Sequence, residues 1–264
     1  MIVQFSKYHG TGNDFIIIDS RNRSTSYLTP GLIIQLCHRR FGIGADGLII
    51  LEEALHADFR MHYFNADGAE GTMCGNGGRC VTMFAARLGL IDHETTFEGI
   101  DGMHSATLLP DGDIRLKIKD VNGISTLEDG SLLDTGSPHF VTFVPQVDTL
   151  NVEELGREIR NQPRFGEKGV NVNFVANAEA GNTITVRTYE RGVEAETFSC
   201  GTGVTAAAIA SCFRFDPDIF SYTVETRGGR LQVSFRRMHP DIFTDVYLTG
   251  PATHVYDGSI ELDL

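Results

Sequence analysis

The chain has 264 residues, of which 41% are hydrophobic and 22% charged, with a formal net charge of −13. This size and balance fit one large globular domain or two of about 130 residues each. So large an acidic excess repels phosphate backbones and anionic lipid, which argues against nucleic acid or a membrane surface as partner.

The opening "MIVQFSKYHG" is strand-like and lacks the charged-then-apolar layout of a signal peptide. Apolar runs elsewhere are too short to span a bilayer, so a cytoplasmic protein is expected. "TPGLIIQLCHRRF" predicts a helix with Thr29 as N-cap and Pro30 in its first turn. "ADFRMHYF" alternates as a strand does, and a glycine-led helix is expected from Gly78 to Leu88. "DIRLKIK" reads as a strand entered through a turn at Asp111-Gly112. "NVEELGREIR" predicts a helix capped by Asn151, with Glu154 three residues on. After the strand "NTITVRTY" comes a second glycine-led helix, Gly203 to Phe213, which carries no charge and is therefore expected to be buried on every side. "RLQVSF" is a strand reached through a turn at Gly228-Gly229.

These elements occur twice. "TGNDFIII" (Thr11 to Ile18) has a counterpart in "TGSPHFVTF" (Thr135 to Phe143), and "FGIGADGLII" in "FGEKGVNVNFV". "YFNADGAEGTMCGNG" likewise matches "TYERGVEAETFSCGTG", all in one order and about half a chain apart. The expected fold is α/β in the mixed α+β sense, with two lobes that each wrap strands around a central buried helix. Residues 1–120 would form the first lobe, with 252–264 adding a closing strand, and 121–251 the second.

Five cysteines, none in a Cys-x-x-Cys pair, argue against a secreted disulfide framework or a structural zinc site. Cys37, Cys80 and Cys212 lie in apolar helical patterns and read as buried small side chains. Cys74 and Cys200 differ, because each precedes Gly-x-Gly at the entrance of a helix, in equivalent places of the two lobes. The first N–H groups of a helix lack internal partners and carry partial positive charge. Glycines let that backbone approach a carboxylate or phosphate closely, and a cysteine there has its thiolate favoured. Two matched thiols suit inversion of a carbon centre, in which one base removes a proton from one face and an acid delivers one to the other. The helix entrances would hold the anionic transition state.

"FSKYHGTGNDFIIID", "FNADGAEGTMCGNGGRC", "TGSPHFV", "VNVNFV" and "YERGVEAETFSCGTG" together resemble the diaminopimelate epimerase family through most of the chain. The resemblance implies two pseudo-two-fold-related lobes, each a strongly curved, mostly antiparallel sheet around its helix, with the active site in the cleft between them. It implies a homodimer that interconverts LL- and meso-diaminopimelate, a small-molecule substrate of lysine and peptidoglycan precursor synthesis, with no cofactor and no metal. Carried over by position, Cys74 and Cys200 are the acid–base pair, and His139 and Glu190 the polar partners beside the thiols. Asn13, Asn65, Asn171, Glu190 and Arg191 are substrate contacts, Arg191 clamping the distal carboxylate. Gly75, Asn76, Gly201 and Thr202 would donate to the carboxylate at the reacting end. The chain departs from the common pattern at Gly47, where many relatives have glutamine, and at Ser137, where they have asparagine. Its "ERGVEAET" loop is also one residue longer than usual.

Alternatives remain for single residues. Asn13 fits a turn cap, His139 an ordinary strand start, and Arg191 a surface ion pair. "GIGADG" formally fits a dinucleotide loop, but a helix precedes it and a strand follows, the reverse of the required order. Another two-base isomerase of the same architecture, such as one acting on proline or in phenazine synthesis, is a competing function, as is a non-catalytic amino-acid binder. A cysteine hydrolase gives no reason for a second matched thiol.

Overall fold

A computed structural model describes residues 1–179 and 181–262. Met1–Leu116 and the chain from Gly250 onward form one compact unit, and Lys117–Thr249 a second. In the first, β1 (Ile2–Gly10) and β2 (Asn13–Asp19) make an antiparallel hairpin. Its two-residue turn has positive φ at both Thr11 (49°) and Gly12 (87°), which matches the right-handed twist of the strands. Helix α1 (Pro30–Cys37) crosses over to β3 (Gly47–Glu52), parallel to β2, and β4 (Phe59–Asn65) and β5 (Glu70–Gly71) follow antiparallel. Helix α2 (Gly75–Arg87) leads to β6 (Glu94–Gly99), parallel to β4, and then β7 (Gly102–Leu108) and β8 (Ile114–Lys117) run antiparallel. The strands β2 and β3 read "FIII" and "LIIL" and are buried without alternation, as parallel strands covered on both faces must be.

The second unit opens with β9 (Val121–Asn122), β10 (Ser125–Leu127) and β11 (Gly130–Asp134), and then repeats the plan. Strand β12 (Pro138–Phe143), antiparallel to β11, is joined through α3 (Val152–Arg160) to the parallel β13 (Asn171–Ala176). Strands β14 (Thr183–Glu190) and β15 (Ala195–Thr197) follow antiparallel. Helix α4 (Gly201–Arg214) leads to β16 (Ser221–Thr226), parallel to β14, and then β17 (Gly229–His239) and β18 (Ile242–Gly250). The final strand, β19 (Thr253–Glu261), lies antiparallel to β1 in the first unit. Each unit is therefore the same sequence of pairings around its own helix, the mixed α+β arrangement expected. In α4, Val204, Ala206, Ala207, Ala208, Ile209, Ala210 and Cys212 are all fully buried, as expected of the charge-free run Gly203 to Phe213, and the one charged residue, Arg214, ends the helix.

Three local expectations are corrected. Both glycine-led helices begin earlier, at Gly75 and Gly201, because the carbonyls of Cys74 and Cys200 already accept the first helical bonds, from Gly78 and Val204. The β16–β17 turn is Arg227-Gly228, since Gly229 pairs with Thr226 and belongs to the strand. Helix α1 stops at Cys37, and the "GIGADG" backbone folds back on its end. Ile43 and Gly44 donate to the carbonyl of Leu36, and Ala45 to that of Cys37. A Cβ on Gly42 would lie 2.0 Å from the carbonyl oxygen of Gln35. The glycines thus cap a helix C-terminus, which explains their presence without a phosphate.

Candidate active site

Cys74 and Cys200 are the N-caps of α2 and α4, both in extended conformation, and neither side chain makes a capping bond. The sulfur at each helix entrance is therefore not consumed in holding the helix. The other cysteines are buried at 3% exposure or less, and burial pushes the thiols of Cys37 and Cys212 up to about 11 and that of Cys80 higher still. The chain thus separates two helix-entrance cysteines from three inert ones.

In the first unit, Asn13 stands at the start of β2 with its side chain against the entrance of α2. Its Oδ1 accepts from Asn76 Nδ2 at 3.1 Å and lies 3.7 Å from Cys74 Sγ. Its Nδ2 donates to Asp46 Oδ2 at 2.8 Å. Asp46 is anchored by the backbone N–H of Asp14 (3.2 Å) and by Arg39 (2.6 Å). Behind Asn76 stands Arg79, fully buried, which donates to Asn76 Oδ1 at 3.0 Å and to the carbonyls of Gly75 and Pro251. Among the described residues no carboxylate comes within ion-pair distance of this guanidinium, and burial pulls its pKa down. An uncompensated buried cation is costly, and here it sits at the base of the Cys74 helix. Asn65 is placed separately: its Oδ1 accepts from Tyr63 at 2.8 Å. The Tyr63 ring lies over Gly47 and Gly71, where a Cβ would come within 2.6 and 2.9 Å of it.

In the second unit, His139 is fully buried on β12. Its Nε2 lies 3.0 Å from the hydroxyls of both Ser137 and Thr202, and its Nδ1 3.2 Å from Asn173 Nδ2. Thr202 Oγ1 is 3.6 Å from Cys200 Sγ. Burial pushes His139 down to about 3, so its ring is neutral at ordinary pH. Asn171 Nδ2 donates to Ser137 Oγ at 3.1 Å, and its Oδ1 accepts from the backbone of Arg191 at 2.9 Å. Glu190 accepts a short hydrogen bond from Thr197. Gly203 has no room for a side chain, since a Cβ would lie 2.4 Å from Asn173 Oδ1 and 3.2 Å from Cys200 Sγ.

The structure thus links Asn13, Cys74 and Asn76 through hydrogen bonds, and joins His139, Thr202 and Cys200 in a second set, with Asn171 reached through Ser137. Asn65 accepts from Tyr63, and Glu190 from Thr197. Asp46, Arg79 and Asn173 belong to the networks and were not singled out from sequence. A lone arginine among the small residues of "GNGGRC" and a second asparagine in the buried run "NVNFV" were the available signals. Among the described residues, no group of three His, Cys, Asp or Glu side chains is arranged to hold a metal, and no helix is long and apolar enough to cross a membrane.

The diaminopimelate epimerase family model matches residues 5–127 and 131–255. A diaminopimelate epimerase of Flavobacterium psychrophilum is 46% identical over 254 residues, covering 96% of this chain and 98% of that protein. One from Chlorobaculum tepidum is 42% identical, covering 96% and 99%. Among solved structures, a phenazine biosynthesis protein of the PhzF family from Bacillus anthracis superposes with a TM-score of 0.75 at 15% identity, covering 99% of this chain and all of that one. A probable proline racemase from Agrobacterium radiobacter gives 0.73 at 17%, covering 99% and 93%. The two structural likenesses bear on the fold alone.

Proposed function

The chain belongs to the diaminopimelate epimerase family, and on that premise we propose that it is an isomerase interconverting LL- and meso-2,6-diaminopimelate through Cys74 and Cys200. The observation that carries the mechanism is that both helix-entrance residues are cysteines whose sulfurs make no capping bond, once in each unit. In the reaction, a thiolate takes the α-proton and becomes a thiol. The other cysteine gives its proton to the opposite face of the carbon and becomes a thiolate. The reverse reaction exchanges the roles. Negative charge that develops on the α-carboxylate is met by the first backbone N–H groups of the helices, from Gly75 and Asn76 in one unit and Gly201 and Thr202 in the other.

Arg191 is the candidate clamp for the distal carboxylate. No ion pair to its guanidinium occurs among the described residues, which supports a cation kept for a ligand over a surface pair. Asn13, Asn65, Asn171 and Glu190 complete the proposed contacts. His139 is a neutral hydrogen-bonding group in this reading, since a ring held so far below its usual pKa is a poor resident base. No cofactor enters the scheme, and the enzyme acts as a cytoplasmic homodimer supplying lysine and peptidoglycan precursors.

Incubation with LL-diaminopimelate in deuterated water is the test. The product should be the meso isomer carrying deuterium at the inverted carbon, while proline stays unlabelled. Labelled proline would move the protein to a different isomerase activity, and unlabelled diaminopimelate would make it a binder.

A further inference from the structure

Arg79 lies on the second turn of α2, and its side chain turns back toward the helix entrance, as long helical side chains do. It joins three segments of the first unit that are distant in sequence. Nη2 donates to Thr11 Oγ1 in the β1–β2 turn at 3.4 Å and to Asn76 Oδ1 at 3.0 Å. Nη1 donates to the Gly75 carbonyl at 3.2 Å, and Nε to the Pro251 carbonyl, just before β19, at 3.3 Å. Two of these four acceptors belong to the first two residues after Cys74. The backbone is shaped around the guanidinium. Thr11 is β-branched yet holds a φ of 49°, a conformation that such residues avoid, and it is buried. At Gly10 a Cβ would lie 3.1 Å from Arg79 Nη2 and 3.1 Å from the Asn76 carbonyl oxygen, so strand, guanidinium and helix entrance meet there closely.

All four acceptors are neutral oxygens. A guanidinium keeps its charge in a protein, and taking it out of water without a counter-ion is costly. The ionisable groups whose charge reaches Arg79 are Cys80, Cys74 and Asp113, and among the described residues no carboxylate bonds to it. Cys80 is fully buried with its thiol pushed far up, so it stays neutral. A neutral amide could tie the same segments together at lower cost. The charge therefore needs its own explanation, and an anion received at the helix entrance supplies one.

We propose that Arg79 is a positioning residue of the α2 entrance, a buried cation whose field draws the substrate carboxylate to the N–H groups of Gly75 and Asn76 while its fork holds the Thr11 turn against that entrance. Its side chain has no exposed surface, so it acts through the groups it holds and through its charge, which buried surroundings screen little. The inference rests on the reading above that the α2 entrance receives a carboxylate.

Two variants separate charge from bonding: Arg79→Lys keeps the cation and loses the fork, and Arg79→Gln keeps an amide donor and loses the cation. The first measurement compares alkylation of Cys74, which is half-buried, by iodoacetate and by iodoacetamide in the substrate-free protein. In both, the thiolate sulfur bonds to carbon and iodide leaves. The two reagents meet the same sulfur, so the ratio of their initial rates cancels its protonation and reports how well a carboxylate is received beside it. Peptide mass spectrometry gives the rates. Arg79→Gln should lower the iodoacetate to iodoacetamide ratio by about threefold or more, and Arg79→Lys should hold it near wild type.

The second measurement is steady-state kinetics with diaminopimelate. Arg79→Gln should raise KM by about tenfold, whereas Arg79→Lys should restore KM and leave kcat low, since the fork is missing. A residue that only braces the fold would lower the melting temperature of both variants and leave the alkylation ratio alone. That result, or a ratio no higher in Arg79→Lys than in Arg79→Gln, would overturn the proposal. If Arg79→Gln does not fold, Arg79→Lys decides: a ratio near wild type with reduced kcat supports the role, and a fallen ratio overturns it. The alkylation ratio needs no turnover. A charge-dependent ratio in a protein that leaves diaminopimelate untouched would therefore remove the substrate and keep Arg79 in its role.

Discussion

The backbone nitrogen of Arg191 donates to Oδ1 of Asn171 at 2.9 Å, which ties the loop after β14 to the start of β13. The loop is further held by Glu194, which has a positive φ of 59°, accepts from the N–H of Gly192 and pairs with Arg160 at 2.7 Å. The loop that carries Arg191 is thus a braced turn.

If that guanidinium holds the distal carboxylate, Arg191→Met should raise KM by about tenfold or more, the loss of one charge-assisted pair. Arg191→Lys should recover only part, lacking the planar fork. Steady-state kinetics with diaminopimelate measure this, and an unchanged KM in Arg191→Met would remove the residue from the site.

Cys74→Ala and Cys200→Ala should each reduce turnover to background while leaving the thermal transition within a few degrees of wild type. Cys212→Ala, a change inside α4, should keep activity and cost about 1 kcal/mol of stability. Parallel melting curves and turnover assays separate the two kinds of cysteine.

Gly203→Ala is expected to be far worse than an exposed glycine-to-alanine change in a helix, which is usually stabilising. The new methyl would push into Asn173 Oδ1 and Cys200 at once. A loss of about 1–3 kcal/mol is expected, together with reduced turnover. Denaturant titration should show it, and a stable, active variant would mean that Asn173 can move aside freely.

Asp14 loses solvation on folding, which alone would raise its pKa, but hydrogen bonds from Arg39 and Lys7 outweigh this and bring it from 3.8 down to about 2. A carboxylate with a depressed folded-state pKa adds stability that is fully present above its unfolded value and is lost as pH falls through the folded one. Unfolding free energy should therefore fall between about pH 5 and pH 2, with Asp14 contributing about 2 kcal/mol to the drop. Asp14→Asn should be less stable at pH 6 and flatter over that interval. Urea titrations at several pH values check both points.

Much of this protein was legible in one dimension. The doubled motifs, the alternating strands and the charge-free run of α4 are local patterns, and local patterns follow from backbone geometry and from which faces must be buried. The same holds for the cysteine before Gly-x-Gly, which stands at a helix entrance in both places here. The placement of the "GIGADG" glycines against the end of α1, and of the Tyr63 ring over Gly47, was not legible, because each depends on which backbone lies across from it. The hydrogen-bond networks belong to the same class. Asn13 meets Asn76, and His139 meets Thr202, each across 63 residues of chain. An asparagine looks alike in sequence whatever it will meet, because partners so distant along the chain come together only when strands and helices pack.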